Sequence, residues 1–230
     1  MNVAVIPARG GSKRIPRKNM KSFYGQPAIA WSIQAALESN CFERVIVSTD
    51  DAEIAEISRK YGAETPFVRP ADLANDTAGT TPVIRHAIEW LRANGNHPTA
   101  VCCIFPAIFF IEAEDIKKGL SLLTSSNCNY VLPVASYQSP IQRAFRITEN
   151  NRIQMFQPEN FNKRSQEMET AYHDASQFYW GKADAWVQGI PFYGEGSIPI
   201  PIPRHRVVDI DTQEDWEGAE LLFELLKKRP

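Results

Sequence analysis

The 230-residue sequence has no apolar run that approaches the roughly 20 residues needed to cross a bilayer. Its opening stretch, MNVAVIPARGG, reaches a proline and an arginine within nine residues. A secretory signal peptide needs an uninterrupted apolar region, which this stretch lacks. We therefore expect a protein that is neither exported nor bound to a membrane and that works in the cytoplasm.

Cysteine is also scarce, with four residues in the whole chain: Cys41, Cys102, Cys103 and Cys128. None belongs to a C-x-x-C pair, and two of them are adjacent within an apolar run. Zinc sites and disulfide frameworks depend on spaced cysteine pairs, so neither is expected. The pattern favours buried free thiols in a reducing compartment.

An excess of positive charge is absent too. The sequence holds 25 Lys and Arg against 27 Asp and Glu, which gives a formal net charge of −2. Domains that bind nucleic acid usually carry a basic balance, so no nucleic-acid partner is expected. The hydrophobic content of 43% and the aromatic content of 10% are those of an ordinary globular protein.

What the sequence does contain is a regular alternation of buried strands and amphipathic helices. Runs such as VAVIP, RVIVSTDD and TAVCCIF read as strands, and segments with apolar residues at helical spacing separate them. This pattern predicts one α/β domain over residues 1–230, with a mostly parallel sheet and helices on both faces. Ligands bind such sheets beyond the carboxyl ends of the strands.

The alternation breaks between residues 136 and 180. RAFRITENNRIQMFQ alternates like a hairpin with ENN at its turn, and AYHDASQFYWG is a second strand-like piece. We interpret 136–180 as an inserted β-rich excursion whose exposed apolar residues a partner subunit would cover. After it, SIPIPIP predicts an edge strand, VVDID a further strand, and TQEDWEGAELLFELLKKR a closing helix.

The first strand leads into ARGGSKRIPRKNMKSF, which is rich in lysine and arginine. It matches neither the P-loop pattern nor the G-x-G-x-x-G fingerprint. Gly10 and Gly11 nevertheless let the backbone approach an anion closely. Arg9, Lys13 and Lys18 are able to neutralise phosphates through charge-assisted hydrogen bonds. A polyphosphate site is favoured, and a solvated basic loop is the alternative.

A second cluster is the aspartate pair of VVDID, Asp209 and Asp211. Alternate residues of a strand point to one side, so the two carboxylates would be neighbours while Ile210 faces the core. Two carboxylates completed by phosphate oxygens and water are a common environment for Mg²⁺. The alternative is that Asp211 or Thr212 caps the closing helix together with Asp215.

Other polar clusters indicate structure rather than chemistry. Asp50 and Asp51 follow a strand, where helix capping is favoured. His173 and Asp174 lie among aromatic residues, and a structural histidine is favoured over a general base there. The sequence shows no Ser/His/Asp or Cys/His arrangement. The basic segment and the aspartate pair therefore remain as the candidates for function.

These motifs resemble a known family. IPARGGSKRIPRKNMKSF resembles the N-terminal signature of the CMP-sialic acid synthetases, also called acylneuraminate cytidylyltransferases. RSQEMETAYHDASQFYWG, VVDIDTQEDW and FVRPADLANDTAGTTPVIRHAIEWL are similar to later blocks of the branch that acts on pseudaminic acid. The resemblance spans nearly the full chain. It implies a three-layer, Rossmann-like nucleotide-diphospho-sugar transferase fold and a homodimer built through the excursion.

The resemblance also implies a role for each matching position. Nucleotide binding is implied for Arg9, Gly10, Gly11, Ser12, Lys13, Asn19, Arg69 and Thr80. Catalytic roles are implied for Lys13, Lys18 and Asp211, and Mg²⁺ binding for Asp209 and Asp211. Contacts with the sugar are implied for Gln166, Tyr172 and Gln177.

One segment departs from the family pattern. Relatives usually carry a small hydroxyl residue and a proline just past the central strand, whereas this chain has FPAIFF there. Ala107 stands in place of the hydroxyl residue and Phe109 in place of the proline. The change removes a hydroxyl near the expected pocket and adds aromatic bulk, so it bears either on the precise sugar or on full activity, and not on the nucleotide end.

The implied reaction is a Mg²⁺-dependent transfer of CMP from CTP to the anomeric hydroxyl of a nine-carbon acidic sugar, with pseudaminic acid as the closest match. Lys21, Arg143 and Arg164 each suit the sugar's carboxylate, and the sequence does not choose among them. Two alternatives remain. One is a cytidylyltransferase for sialic, legionaminic or octulosonic acid, and the other is a non-catalytic relative that binds CTP.

Overall fold

The computed structural model describes residues 1–75 and 77–227. Its strands are β1 (Asn2–Pro7), β2 (Ser22–Phe23), β3 (Gln26–Pro27), β4 (Arg44–Ser48), β5 (Ala100–Ile104), β6 (Tyr130–Ser136), β7 (Phe145–Ile147), β8 (Ile153–Met155), β9 (Tyr172–Asp174), β10 (Phe178–Lys182) and β11 (Ser197–Pro201). Its α-helices are α1 (Ala28–Glu38), α2 (Ala52–Lys60), α3 (Thr80–Ala93), α4 (Ala113–Ser125), α5 (Ala183–Gln188) and α6 (Gln213–Lys227).

The central sheet has the strand order β11-β6-β10-β5-β1-β4, with β9 paired to the carboxyl half of β6. β1 is parallel to both β4 and β5, and β11 is parallel to β6. β10 is antiparallel to both of its neighbours, β5 and β6. All strands of this sheet except β9 and β10 therefore run in one direction, which confirms the predicted mostly parallel sheet.

Helices cover both faces of the sheet, and β1 shows why. Ala4 and Ile6 point to one face, where they share a core with α1, α2 and α4. Val3 and Val5 point to the other face and share a core with α3 and α5. All four side chains are fully buried, so VAVI reads as a continuous apolar run rather than an alternating one. The predicted three-layer architecture is confirmed.

The region that breaks the alternation divides into two parts. β7 and β8 form a separate antiparallel hairpin, as RAFRITENNRIQMFQ predicted, with Asn151 of the turn at φ +56°. β9 and β10 instead belong to the central sheet, where β10 is an inner strand. The structure therefore limits the excursion expected over 136–180 to residues 137–171, because β9 and β10 pair with strands of the central sheet.

The strand predicted for VVDID is wrong. Residues 207–211 follow the 3₁₀ turn Arg204–Arg206 without pairing to any strand of the described chain. The alternation of exposure survives, because Ile210 is buried against Ile15, Phe23 and Trp216 in a third apolar cluster. Side-chain packing rather than a backbone ladder fixes this segment. β11, in contrast, is the edge strand that SIPIPIP predicted.

All four cysteines are free thiols, and Cys102, Cys103 and Cys128 are buried, as expected. Burial raises the pKa of the Cys102 thiol well above its usual value, which keeps it protonated and unreactive. Across residues 1–75 and 77–227, no helix combines the length and the hydropathy that spanning a membrane requires.

Candidate active site

A cavity of about 620 Å³ opens at the carboxyl ends of β1 and β5, the edge at which the sheet was expected to bind a ligand. Nine of the predicted site residues line it: Arg9, Ser12, Lys13, Lys18, Asn19, Arg69, Thr80, Asp209 and Asp211. The remaining lining comes from Pro7, Arg14, Ile15, Ala78, Gly79, Val83, Phe105, Pro106, Ile108 and Ser176. The basic segment and the aspartate pair therefore face one space.

Lys18 makes the direct connection between the two clusters. Its ammonium donates a hydrogen bond of 2.7 Å to the backbone oxygen of Ile210, between the two aspartates. Burial lowers the pKa of Lys18, and the carboxylates of Asp211 and Asp209 oppose that shift. A half-buried cation is thus held at one position in the wall of the cavity, with two negative charges beside it.

The carboxylates of Asp209 and Asp211 do not cap α6. Thr212 directly precedes α6, and its hydroxyl accepts a hydrogen bond of 3.2 Å from the Asp215 amide. Asp215 in turn accepts one of 2.7 Å from the Thr212 amide, which completes a capping box. The hydrogen bonds from Thr212 lower the pKa of Asp215. The carboxylate of Asp211 instead forms an ion pair with Arg14 and, like Asp209, lines the cavity.

Gly10 approaches the start of α2. Its amide donates a hydrogen bond of 3.1 Å to Asp50, and a Cβ built on it would lie 2.6 Å from Asp51 Oδ2. Asp51 caps α2 by accepting hydrogen bonds of 2.9 and 3.0 Å from the amides of Glu53 and Ile54, which confirms the predicted cap. Gly10 is therefore required for close packing of the basic segment on this cap.

Gly11 has open space where a Cβ would lie. Neither Gly10 nor Gly11 is among the residues that line the cavity. The glycine pair thus shapes the segment, while the neighbouring side chains of Arg9, Ser12 and Lys13 reach the cavity wall.

Another part of the cavity lining comes from a buried arginine, Arg69, and from the start of α3. Arg69 is 4% exposed and donates hydrogen bonds to Ser48, one of 3.1 Å to its hydroxyl and another to its backbone oxygen. Burial lowers the pKa of Arg69 to about 10. Thr80 begins α3, whose N-cap Gly79 provides no side-chain cap, so the first backbone amides of this helix lack a capping acceptor where Gly79 and Thr80 line the cavity.

Asn19 of the basic segment also lines the cavity and is 6% exposed. Its amide nitrogen donates a hydrogen bond of 3.2 Å to the backbone oxygen of Arg9. Its side-chain oxygen has no hydrogen-bond partner within residues 1–75 and 77–227. A buried acceptor without a partner costs stability, so a ligand donor would satisfy it.

The structure accounts for FPAIFF. Phe109 stacks on Phe23 with ring centroids 3.5 Å apart and meets Trp216 edge-on at 5.4 Å. It thereby joins the end of the basic segment to α6, the helix that follows the aspartate pair. Ala107 has φ +59°, a conformation that a β-branched threonine rarely adopts. The departure thus removes a hydroxyl group and adds the aromatic contacts of Phe109 with Phe23 and Trp216 behind the cavity.

The three residues expected to face the sugar do not line the cavity. Gln166 lies exposed in the 3₁₀ turn Ser165–Glu167, and Tyr172 is 52% exposed at the start of β9. Gln177 is 1% exposed, and its amide nitrogen donates a hydrogen bond of 2.6 Å to the Arg206 backbone oxygen. Lys21, Arg143 and Arg164 are also absent from the lining.

Two residues with polar side chains, Arg14 and Ser176, line the cavity although the sequence predicted no role for them. Arg14 belongs to the basic segment, and the sequence did not distinguish it from the other cations. Ser176 lies in the short connection between β9 and β10. Only its position at the end of a strand, on the ligand edge of the sheet, signals a functional site.

Comparison with known proteins agrees with this geometry. Residues 3–194 match the cytidylyltransferase family model. The chain is 40% identical over 224 residues to the pseudaminic acid cytidylyltransferase of Campylobacter jejuni subsp. jejuni serotype O:2, covering 97% of each chain. It is 30% identical over 232 residues to the CMP-N,N'-diacetyllegionaminic acid synthase of Legionella pneumophila, covering 97% of this chain and 96% of that protein.

A solved structure shares the fold. CMP:2-keto-3-deoxy-manno-octonic acid synthetase complexed with CTP superposes with a TM-score of 0.71 at 15% identity, covering 98% of this chain and 99% of that one. This likeness confirms the expected nucleotidyltransferase fold. With a family model that matches most of its length and relatives of 30–40% identity over nearly all of it, the chain belongs to the cytidylyltransferase family of nucleotidyltransferases.

Proposed function

We propose that the protein transfers the CMP group of CTP to the anomeric hydroxyl of pseudaminic acid, a nine-carbon acidic sugar. The anomeric hydroxyl releases its proton to water as its oxygen forms a bond to the α-phosphorus, the bond from that phosphorus to the bridging oxygen breaks, and pyrophosphate leaves. The observation that carries the proposal is the convergence of Lys13, Lys18 and the aspartate pair on one cavity. The 40% identical relative of that name supports the choice of sugar.

The cations would act by position and charge. Arg9 and Lys13 line the cavity at the end of β1, where they would neutralise the leaving pyrophosphate. Lys18 is held by Ile210 before any ligand arrives, so it would face the α-phosphate without reorganising. Phosphoryl transfer depends mainly on such preorganised charge.

The nucleoside would lie against Asn19, Arg69 and Thr80. The Asn19 side-chain oxygen is an acceptor that suits an amino or hydroxyl group of cytidine. The uncapped amino end of α3 offers backbone amides to acceptor atoms of the nucleotide. Arg69 is fixed by Ser48 and supplies a buried positive charge beneath this end of the cavity.

Asp209 and Asp211 fit a Mg²⁺ ion. Both line the cavity, and within residues 1–75 and 77–227 no group of three or more His, Cys, Asp or Glu side chains forms a complete metal site. Mg²⁺ is commonly held by one or two carboxylates with substrate phosphates and water, which is the donor set available here. When bound, the ion would polarise the phosphate and lower the pKa of the attacking hydroxyl.

We also propose that the chain works as a homodimer in the cytoplasm. Large apolar side chains are exposed on the hairpin and the residues after it: Phe145 54%, Ile147 70%, Ile153 71%, Phe156 62% and Phe161 68%. A second copy would bury this surface and bring Gln166 and Tyr172 toward a partner's cavity. Light scattering should give the mass of two chains, and Ile153→Asp should shift it to one.

A sugar panel tests the proposed reaction. CTP and Mg²⁺ are incubated with pseudaminic, legionaminic, sialic or octulosonic acid, and pyrophosphate release is measured. The highest kcat/KM is expected with pseudaminic acid. A clear preference for another acid would change the assigned sugar substrate but would still support CMP transfer from CTP. CTP binding by calorimetry without turnover on any sugar would instead favour a non-catalytic relative.

A further inference from the structure

Ser176 lies at the opposite end of the cavity from the nucleoside wall. The sheet places β10 beside β5, on the side away from β1 and β4. Ser176 comes two residues before β10, whereas Arg69 is fastened to Ser48 at the end of β4. Since the basic segment after β1 lies between these two ends, a nucleotide on Arg69 and Lys13 leaves the β10 end for the acceptor.

A hydrogen-bond network centred on the Asp174 carboxylate fixes Ser176. The Asp174 carboxylate accepts bonds of 2.9 Å from both the amide and the hydroxyl of Ser176. It also accepts a bond of 3.0 Å from the Tyr193 hydroxyl and a further one from the Tyr179 hydroxyl. The two bonds from Ser176 hold it at φ +49°, a conformation that serine seldom adopts, and the two tyrosine bonds fix the carboxylate.

This network determines whether the Ser176 hydroxyl can donate or accept a hydrogen bond with a ligand. A carboxylate only accepts, so the single proton of the hydroxyl is committed to Asp174. The oxygen of Ser176 keeps its two lone pairs, and Ser176 lines the cavity. It is therefore an acceptor of fixed direction, suited to a hydroxyl or an amide N–H and unsuited to a carboxylate or a phosphate.

We propose that Ser176 is a specificity-determining residue for the acceptor, and that its oxygen accepts a hydrogen bond from a hydroxyl or acylamido N–H of the sugar. Asp174 is the positioning residue that keeps the serine proton out of the cavity. This inference rests on the proposed function, because it takes the β10 end of the cavity as the acceptor subsite. It explains why a strained serine is held there by two hydrogen bonds to a carboxylate that two tyrosines also contact.

The test removes the hydroxyl without disturbing the fold. Glycine adopts φ +49° freely, so Ser176→Gly is expected to fold with equal or higher thermal stability. KM for the sugar should rise about tenfold, as loss of one hydrogen bond to a ligand predicts. KM for CTP should stay within about twofold. Ser176→Ala should repeat the effect, since it also lacks the hydroxyl.

Asn40→Gly is the matched control. Asn40 is exposed, has φ +52° and lies outside the cavity, so this variant relieves similar strain and should leave both KM values unchanged. An unchanged sugar KM in Ser176→Gly and Ser176→Ala would overturn the inference. An equal rise in the CTP KM would overturn it as well, because the hydroxyl would then serve the nucleotide.

Sugar analogues identify the donor. Deoxy or O-methyl analogues that each remove one donor are compared in wild type and Ser176→Gly. For one analogue, kcat/KM with the wild type should be about tenfold lower than for the unmodified sugar. With Ser176→Gly, the same analogue and the unmodified sugar should have similar kcat/KM values. Equal losses in both proteins for every analogue would refute the contact. A wild type that turns over no acidic sugar would reject the proposed function and this role together, whereas active wild type with unaffected variants rejects this role alone.

Discussion

The ammonium of Lys18 and the backbone oxygen of Ile210 lie 2.7 Å apart although 192 positions separate them in the chain. This bond fastens the basic segment after β1 to the aspartate pair that precedes α6. The apolar side chain of Ile210 is buried on the opposite side, against Ile15 and Trp216. The cations and the carboxylates are thus brought together by one polar and one apolar contact to the same residue.

Lys13→Ala should lower turnover by about 100-fold or more, because it removes a preorganised cation that would meet the leaving pyrophosphate. Pyrophosphate release at saturating CTP and sugar measures the effect. Lys118, exposed on α4 and outside the cavity, offers the control, and Lys118→Ala should keep wild-type turnover. Undiminished release by Lys13→Ala would show that Lys13 has no part in the reaction.

Asp211→Asn and Thr212→Ala separate metal binding from helix capping. Asp211→Asn should fold normally and lose its response to Mg²⁺ over a titration of pyrophosphate release. Thr212→Ala loses the cap of α6 and should cost about 1 kcal/mol of unfolding free energy while keeping the Mg²⁺ response. If the two variants exchange these phenotypes, Asp211 is a structural residue rather than a metal ligand.

Gly10→Ala and Gly11→Ala should differ although the glycines are adjacent. A Cβ at position 10 collides with Asp51, so the cap of α2 must shift at a cost of about 1 kcal/mol or more. A Cβ at position 11 meets open space and should change stability by less than about 0.5 kcal/mol. Urea unfolding of the two variants measures the difference, and equal losses would contradict the close packing of Gly10.

Two buried tyrosines should respond oppositely to replacement by phenylalanine. The Tyr130 hydroxyl has no hydrogen-bond partner in the described part of the chain, so Tyr130→Phe should raise the free energy of unfolding by about 1 kcal/mol. The Tyr179 hydroxyl bonds to Asp174, so Tyr179→Phe should lower it by a similar amount. Denaturant unfolding at pH 7 tests both signs.

Tyr130 also predicts a dependence on alkaline pH. Burial raises its pKa to about 12, whereas an unfolded tyrosine ionises near pH 10. Between these values the unfolded chain loses a proton that the folded chain keeps, so stability falls as pH rises, by up to about 1.4 kcal/mol per pH unit. Tyr130→Phe should reduce this slope, and an unchanged slope would contradict the burial of the hydroxyl.

Phe109→Ala should cost about 3–5 kcal/mol of unfolding free energy, since it empties the stack against Phe23 and the edge contact with Trp216. Phe161 is 68% exposed, so Phe161→Ala should have little effect on the stability of a single chain. Thermal unfolding compares the two. Equal unfolding midpoints for the two variants would mean that the packing of Phe109 against Trp216 of α6 does not stabilise the fold.

Several features could be predicted because they follow from local patterns. The buried runs VAVIP and TAVCCIF allow only inner strands, and the hairpin β7–β8 follows from alternation around a turn. The position of the basic segment after β1 places it at the ligand edge of a parallel sheet. The aspartate pair was identified by spacing alone, even though the strand assigned to it was wrong.

Other features depend on partners far away in the sequence. FYWGK reads as a strand, but its place between β5 and β6 depends on competition among all strands of the sheet. Gln177 is polar and lies near the cavity residue Ser176, yet packing turns it toward Arg206. The role of Phe109 required Phe23 and Trp216 to meet, which no local pattern indicates.

The sequence by itself determined the class of fold, the edge of the sheet at which the cavity opens and most of the charged residues that line it. These features follow from periodicity, from the positions of strand ends and from charge, all of which are local properties of short sequence segments. Tertiary structure alone decided that Lys18 reaches Ile210, that Thr212 rather than Asp211 caps α6, and that Ser176 rather than Gln177 reaches the cavity. Each of these is a choice between neighbouring side chains, and the packing of distant segments makes that choice.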